Sequence, residues 1–175
     1  LVPFKKDPGL DFRAKSTWTG IPADGGADTL YGHCIRALDF SMKFGPHNLA
    51  LIGQSDWNDG LGEIGNHGHG ESVWTAFLLQ QLLREFSPIC LEHKDKYRSN
   101  YYLKESKKIH LALDKYGWDG EYYRRAFRDN GEILGSHLKE EFKIDSLTKS
   151  WSVLGFDTVS DNARQALKSA WTTLV

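Results

Sequence analysis

The run from Val73 to Phe86 restricts this chain most. Val73, Trp74, Ala76, Phe77, Leu78, Leu79, Leu82, Leu83 and Phe86 leave almost no polar side on a helix. A helix that is apolar nearly all round belongs in an interior, so other helices have to cover it. Glu71 and Ser72 open it. The spacing predicts an amphipathic helix before it, capped by Asp28, with Leu30, Tyr31, Cys34, Ile35, Leu38 and Met42 on one face and Gly45 and Pro46 as its end. A more polar helix is expected from about Asp95 to Tyr116, with Ile109, Leu113 and Tyr116 on one side and Gly117 as its stop. Two more are expected over about 146–154 and about 160–174, the last with Ala163, Leu167, Ala170, Trp171 and Leu174 on its buried side.

The segments between the helices are unusually long. Residues 1–27 carry Pro3, Pro8, Pro22, Gly9, Gly20, Gly25 and Gly26, a punctuation that predicts an extended loop. A short apolar run, Leu49 to Ile52, leads into a polar, glycine-rich stretch from Gly53 to Gly70. From Trp118 to Phe142 the pattern alternates around Asp129, Asn130 and Gly131, which reads as a hairpin-like excursion. A very apolar helix alternating with amphipathic ones predicts an all-α fold of layered helices. In 175 residues the covering is incomplete, so the chain is expected to be a piece of something larger.

Charge excludes several partners. With 22 Lys and Arg against 23 Asp and Glu, the net charge of −1 gives no reason to expect nucleic acid or an anionic membrane surface. No apolar run approaches the ~20 residues of a membrane-spanning helix, and no signal-peptide pattern is visible. The two cysteines, Cys34 and Cys90, are too few for a disulfide scaffold, so a reduced, cytoplasmic setting is expected. The 17 glycines and six tryptophans suit a flat, polar ligand such as a sugar.

The densest chemical cluster is DWNDG, Asp56 to Gly60, on backbone that Gly60 and Gly62 leave free to turn. Asp and Asn in such a turn often bond only their own backbone. The functional reading is that Trp57 stacks on a sugar ring while a neighbouring carboxyl, kept protonated by that apolar wall, protonates a leaving oxygen. Two carboxylates three apart cannot both face one small site, so one is expected to be structural.

Other readings of this stretch are weaker. Gly60, Gly62 and Gly65 match the dinucleotide fingerprint, but DWND separates them from the apolar run and Gly68 and Gly70 delay the helix. A calcium loop starting at Asp56 fails because Gly60 takes the fifth ligand position and His67 the twelfth. His67 and His69 could join His33 or His47 at a metal, yet nothing fixes a third ligand, and no metal is expected. Arg124, Arg125 and Arg128 read as a solvated charged face, with anion or substrate contact as the minority view. No Ser or Cys nucleophile motif is present.

Several strings together resemble one family: TLYGHCIRALDFS (29–41), GPHNLALIGQSDWNDG (45–60), GHGESVW (68–74), GWDGEYYRRAFRDNGEILGS (117–136) and KIDSLTKSWSVL (143–154). In the same order they resemble the inverting glycoside phosphorylases that include cellobiose and chitobiose phosphorylase. Within that family they look most like the phosphorylase-like C-terminal domain of cyclic β-1,2-glucan synthases. The resemblance implies that residues 1–175 are part of an (α/α)6-barrel catalytic domain, with barrel helices from about residue 28 onward. It assigns the general acid to Asp59 and the sugar subsite to Trp57, with Asn58, Asp56, Glu71, Tyr123 and Arg124 as further substrate contacts and His69 at phosphate.

The implied reaction is phosphorolysis of β-linked glucosides, β-1,2-glucan favoured, with release of α-glucose 1-phosphate. An inverting hydrolase needs a second carboxylate to activate water. A phosphorylase does not, because phosphate arrives already anionic. No cofactor is implied beyond inorganic phosphate as co-substrate. The expected partners are a β-glucan oligosaccharide, phosphate, and the remainder of the barrel or a homodimer partner. The chain departs from the family's usual residues at Gly32 (Glu), Gly62 (Asn), His69 (Arg or Lys) and Lys149 (Gln). Two alternatives stay open: a non-catalytic carbohydrate-binding remnant using Trp57, Trp118, Tyr122 and Tyr123, and a hydrolase on the same barrel.

Overall fold

A computed structural model describes residues 2–4, 26–56, 59–156 and 158–175, with backbone alone at 2–4, 26, 27 and 59. The chain divides into two compact units, Leu1–Ser41 and Met42–Val175. In the first, strands β1 (Val2–Phe4) and β2 (Gly26–Asp28) pair antiparallel, Val2 opposite Asp28 and Phe4 opposite Gly26. The two ends of the expected extended loop are therefore strands, and residues 5–25 lie outside the described residues. Helix α1 (Leu30–Ser41) follows and buries Ile35 and Leu38. Its cap is Thr29, whose hydroxyl accepts the Gly32 N–H at 3.0 Å, and not Asp28. Asp28 instead pairs with Arg36 and accepts the Thr29 N–H, and these bonds, Arg36 foremost, hold its carboxyl below the ordinary value.

In the second unit a turn closed by pairing of Phe44 with Ala50 leads to a bridge between Leu51 and Glu71. Strand β3 (Glu71–Ser72) forms one edge of a three-stranded sheet, with β4 (Ala126–Phe127) in the middle and β5 (Ile133–Leu134) beyond it. β4 and β5 are the expected hairpin. Glu71 and Ser72 belong to this strand and not to the helix they were expected to open. Ser72 ends the strand and caps helix α2 (Val73–Glu92), its hydroxyl accepting the Thr75 N–H at 3.0 Å.

Helix α3 (Lys96–Ala112) is capped by Asp95 and ends in one π-type turn, Leu113–Gly117. It runs antiparallel to α2: Ser87 meets Ser99 at 2.7 Å, and one end further on the Ser106 hydroxyl donates to the Gln80 carbonyl at 3.0 Å. Helix α4 (Leu147–Leu154) packs on α2, where the Gln80 amide donates to the Gly155 carbonyl and Trp74 meets Trp151 edge to face. Helix α5 (Asp161–Leu174), capped by Ser160, returns along α4.

The fold is all-α, as expected, with two small sheets. One helix face differs. The buried side of α5 is Ala163, Ala166 and Ala170, while Leu167, Trp171 and Leu174 are 39%, 71% and 49% exposed. Small side chains let two helices approach closely, and that narrow stripe outweighs the pull of the larger apolar residues beside it. Among the described residues no helix is long and apolar enough to cross a membrane.

Candidate active site

The DWNDG loop is anchored at its first residue. Asp56 receives both terminal nitrogens of Arg125, Nη2 on Oδ1 at 2.8 Å and Nη1 on Oδ2 at 2.7 Å. The Ser72 hydroxyl also donates to Oδ2 at 2.7 Å. Ser72 thus ties the loop to the first turn of α2. Trp57 and Asn58 lie outside the described residues, as does the side chain of Asp59. The backbone of Asp59 opens a short 3-10 turn, Asp59–Leu61.

Arg125 is 1% exposed, so it is no part of a solvated face. Its Nε lies 3.4 Å from Asp145, and Asp145 lies 4.0 Å from the ammonium of Lys149 on α4. Lys149 is fully buried, donates to the Thr148 hydroxyl at 3.1 Å and sits 4.8 Å from the Tyr122 ring. Burial lowers its pKa to about 8, against the opposing pull of Asp145 and Asp119. The backbone at Gly135, with φ +69°, passes where a Cβ would come within 2.6 Å of the Arg125 Cβ, so this crossing requires glycine.

Glu71, expected at the sugar, is turned inward. Its Oε1 accepts the N–H groups of His47 at 3.0 Å and Leu49 at 3.2 Å, and Oε2 lies 2.5 Å from His47 Nδ1. The His47 ring stacks on Phe127 at 4.3 Å. Arg124 is half-buried near the same rings and donates to the Tyr116 carbonyl at 2.6 Å, with its guanidinium 5.9 Å from the Phe127 ring centre. Desolvation lowers its pKa.

The GNHGHG loop is organised by Asp129. Its carboxylate accepts the N–H groups of His67, His69 and Gly70 at 2.8, 2.8 and 2.9 Å. Burial opposes the ionised form, but these three bonds prevail and hold the carboxyl below its ordinary value. The backbone donors that could have cradled an anion are thus taken by the chain's own carboxylate. His69 itself is exposed.

Residues 16–175 match the glycosyl hydrolase 94 superfamily, catalytic domain. The chain belongs to this family. The family's fold is an (α/α)6 barrel, and the mostly helical chain agrees with a part of one. The chain is 35% identical over 175 residues to a cyclic beta-(1,2)-glucan synthase, NdvB, of Rhizobium meliloti (strain 1021), covering 99% of this chain and 6% of that protein. It is 35% identical over 148 residues to a solabiose phosphorylase of Paenibacillus borealis, covering 83% and 19%. It is 28% identical over 152 residues to an N,N'-diacetylchitobiose phosphorylase of Vibrio furnissii, covering 85% and 18%. The chain therefore spans less than a fifth of the length of these relatives.

Among the described residues of this glycosyl hydrolase 94 segment, the expected contacts Glu71, Arg124 and Tyr123 have partners other than Asp56. Tyr123 is buried, edge-on to Phe77 and Trp118 at 5.0 Å each. It lines a cavity of about 660 Å³ with Gln80, Arg84, His110, Phe156 and Asn162. Burial, helped by Asp114, pushes its hydroxyl up to about 12. Tyr122 is buried as well, and its hydroxyl donates to the Lys143 carbonyl at 2.9 Å. Sequence reasoning missed Asp145 and Asp129 as organising carboxylates. The signal for Asp129 is its place in the Asp-Asn-Gly turn, which by itself reads as a hairpin tip.

Proposed function

We propose that this chain carries the acid-bearing segment of an inverting glycoside phosphorylase, with Asp59 as the general acid. The observation that carries the reading is the capture of Asp56 by Arg125 and Ser72, which leaves proton delivery to the other carboxyl of DWNDG. In the complete protein, phosphate attacks the anomeric carbon from the face opposite the leaving group. The bond to the bridging oxygen breaks as Asp59 hands that oxygen its proton, and inversion gives α-glucose 1-phosphate from a β-glucoside. Trp57 lines the sugar ring beside the acid. Membership of the glycosyl hydrolase 94 superfamily and likeness to several phosphorylases support the reaction. A β-1,2-linked glucan as substrate is supported by the likeness to the cyclic glucan synthase across nearly the whole chain.

The test is Asp59→Asn in the complete protein. A positioned acid contributes about 10²- to 10⁴-fold, so phosphorolysis falls by that order while glucan binding persists. Unchanged turnover refutes the role of Asp59. Release of free glucose without sugar phosphate would point to a hydrolase instead.

A further inference from the structure

Asp56, Arg125, Asp145 and Lys149 form a line of alternating charge from the loop before Asp59 to helix α4. We propose that Arg125 and Lys149 are positioning residues, which act through Asp145 to hold Asp56, the start of the DWNDG loop, against the first turn of α2. The catalytic consequence rests on the reading of Asp59 as the acid. The coupling itself does not.

A forked guanidinium fixes both distance and orientation of the carboxylate it binds, so Arg125 sets where the loop starts. Arg125 also faces Asp145. With Lys149 charged, the two carboxylates meet two cations and the line is neutral. Without that charge, Asp56 and Asp145 share one guanidinium and repel each other across it. The groups that face Lys149 are Asp145 from the turn before α4, Asp119 from the loop after the π-type turn, Arg125, the Tyr122 ring and the Thr148 hydroxyl. Burial opposes the charge on this ammonium and lowers its proton affinity, against the pull of Asp145 and Asp119. Withdrawing Asp56 leaves Arg125 less balanced beside Lys149 and lowers that affinity further. By reciprocity, loss of the Lys149 proton favours withdrawal of Asp56.

Hydrogen exchange in the complete protein tests this, following peptides over 53–63 with 96–112 as reference, corrected for the intrinsic rate. Near pH 7, Lys149→Met is expected to lower protection over 53–63 by about tenfold, and the wild type approaches that value at about pH 9.5. Lys149→Arg keeps its charge and holds the segment at both. Wild-type protection that ignores this pH change, or Lys149→Met as protected as the wild type, overturns the proposal. Should Lys149→Met also lose protection over 96–112, the wild-type series and Lys149→Arg decide. Where phosphorolysis is present, kcat of Lys149→Met falls by about tenfold with KM within about twofold. A wild type with the loop response but no phosphorolysis sinks the functional reading and leaves the coupling standing.

Discussion

Glu71 approaches Nδ1 of His47 to 2.5 Å from the base of helix α2. Its second oxygen already holds the N–H groups of His47 and Leu49. Such an approach needs Gly45, because a Cβ there would stand 2.4 Å from the Glu71 Cγ. A strand residue next to a helix cap therefore roots the turn that leads into the DWNDG segment.

Truncation of Glu71 tests this root. Glu71→Ala leaves the part-buried His47 N–H and the buried Leu49 N–H without their acceptor and opens a void, and is expected to cost about 2–4 kcal/mol of stability. Urea unfolding of the variant against the wild type measures it. Gly45→Ala should destabilise in the same direction, since the glutamate has to move. A loss under about 0.5 kcal/mol in Glu71→Ala would mean that water replaces the carboxylate and the turn stands without it.

Arg125→Lys is not conservative here. Lysine keeps the charge but offers one point donor where two parallel bonds reach Asp56. Arg125→Met removes the guanidinium that pairs with the buried Asp56 carboxylate and faces Asp145, a loss of about 3–5 kcal/mol. The lysine variant is expected between the wild type and Arg125→Met. Equal unfolding midpoints for Arg125→Lys and the wild type would show that charge alone suffices.

Much of this arrangement was legible in the chain. Ser72, Asp95 and Ser160 are capping residues ahead of apolar periodicity, Gly117 is a stop, and Asp-Asn-Gly is a turn, so the helices and the hairpin follow from local chemistry. The organising ion pairs do not. Arg125 stands among arginines that look solvated, and its burial depends on Asp56 arriving from 69 residues away. Local pattern carries no trace of that meeting. The exposed Leu167 and Trp171 mislead for a related reason: their size suggests burial, whereas alanine at 163, 166 and 170 forms the buried face. The residue types of DWNDG suggest a proton donor by themselves, but its assignment to Asp59 is implied only by the resemblance, and Trp57 and Asn58 lie outside the described residues.

Asp129 makes the glycine-rich loop sensitive to acid. Its carboxyl titrates below the ordinary 3.8 in the fold, so its stabilising effect is complete above that value and is lost as pH falls through the lower, folded value. Amide exchange over 65–70 is expected to accelerate in that range before the helices respond. Asp129→Ala should show the fast exchange already near neutral pH. Equal protection of the loop in the variant and the wild type would remove Asp129 as its organiser.

Lys149 gives a slope of the same sign at alkaline pH, although here the charged form is the destabilising one. Its pKa is about 8 in the fold against 10.5 for an ordinary lysine, so between those values the unfolded chain binds the extra proton. Stability from this group is therefore lowest below about pH 8 and rises toward about pH 10.5, by about 3 kcal/mol over the whole window. Lys149→Met lacks the titration. The difference in unfolding free energy, wild type minus variant, is expected to climb through that window and to be flat near neutral pH. A difference that stays level, or falls, would mean that the ammonium keeps its proton in the folded chain and that Asp145 and Asp119 outweigh its burial.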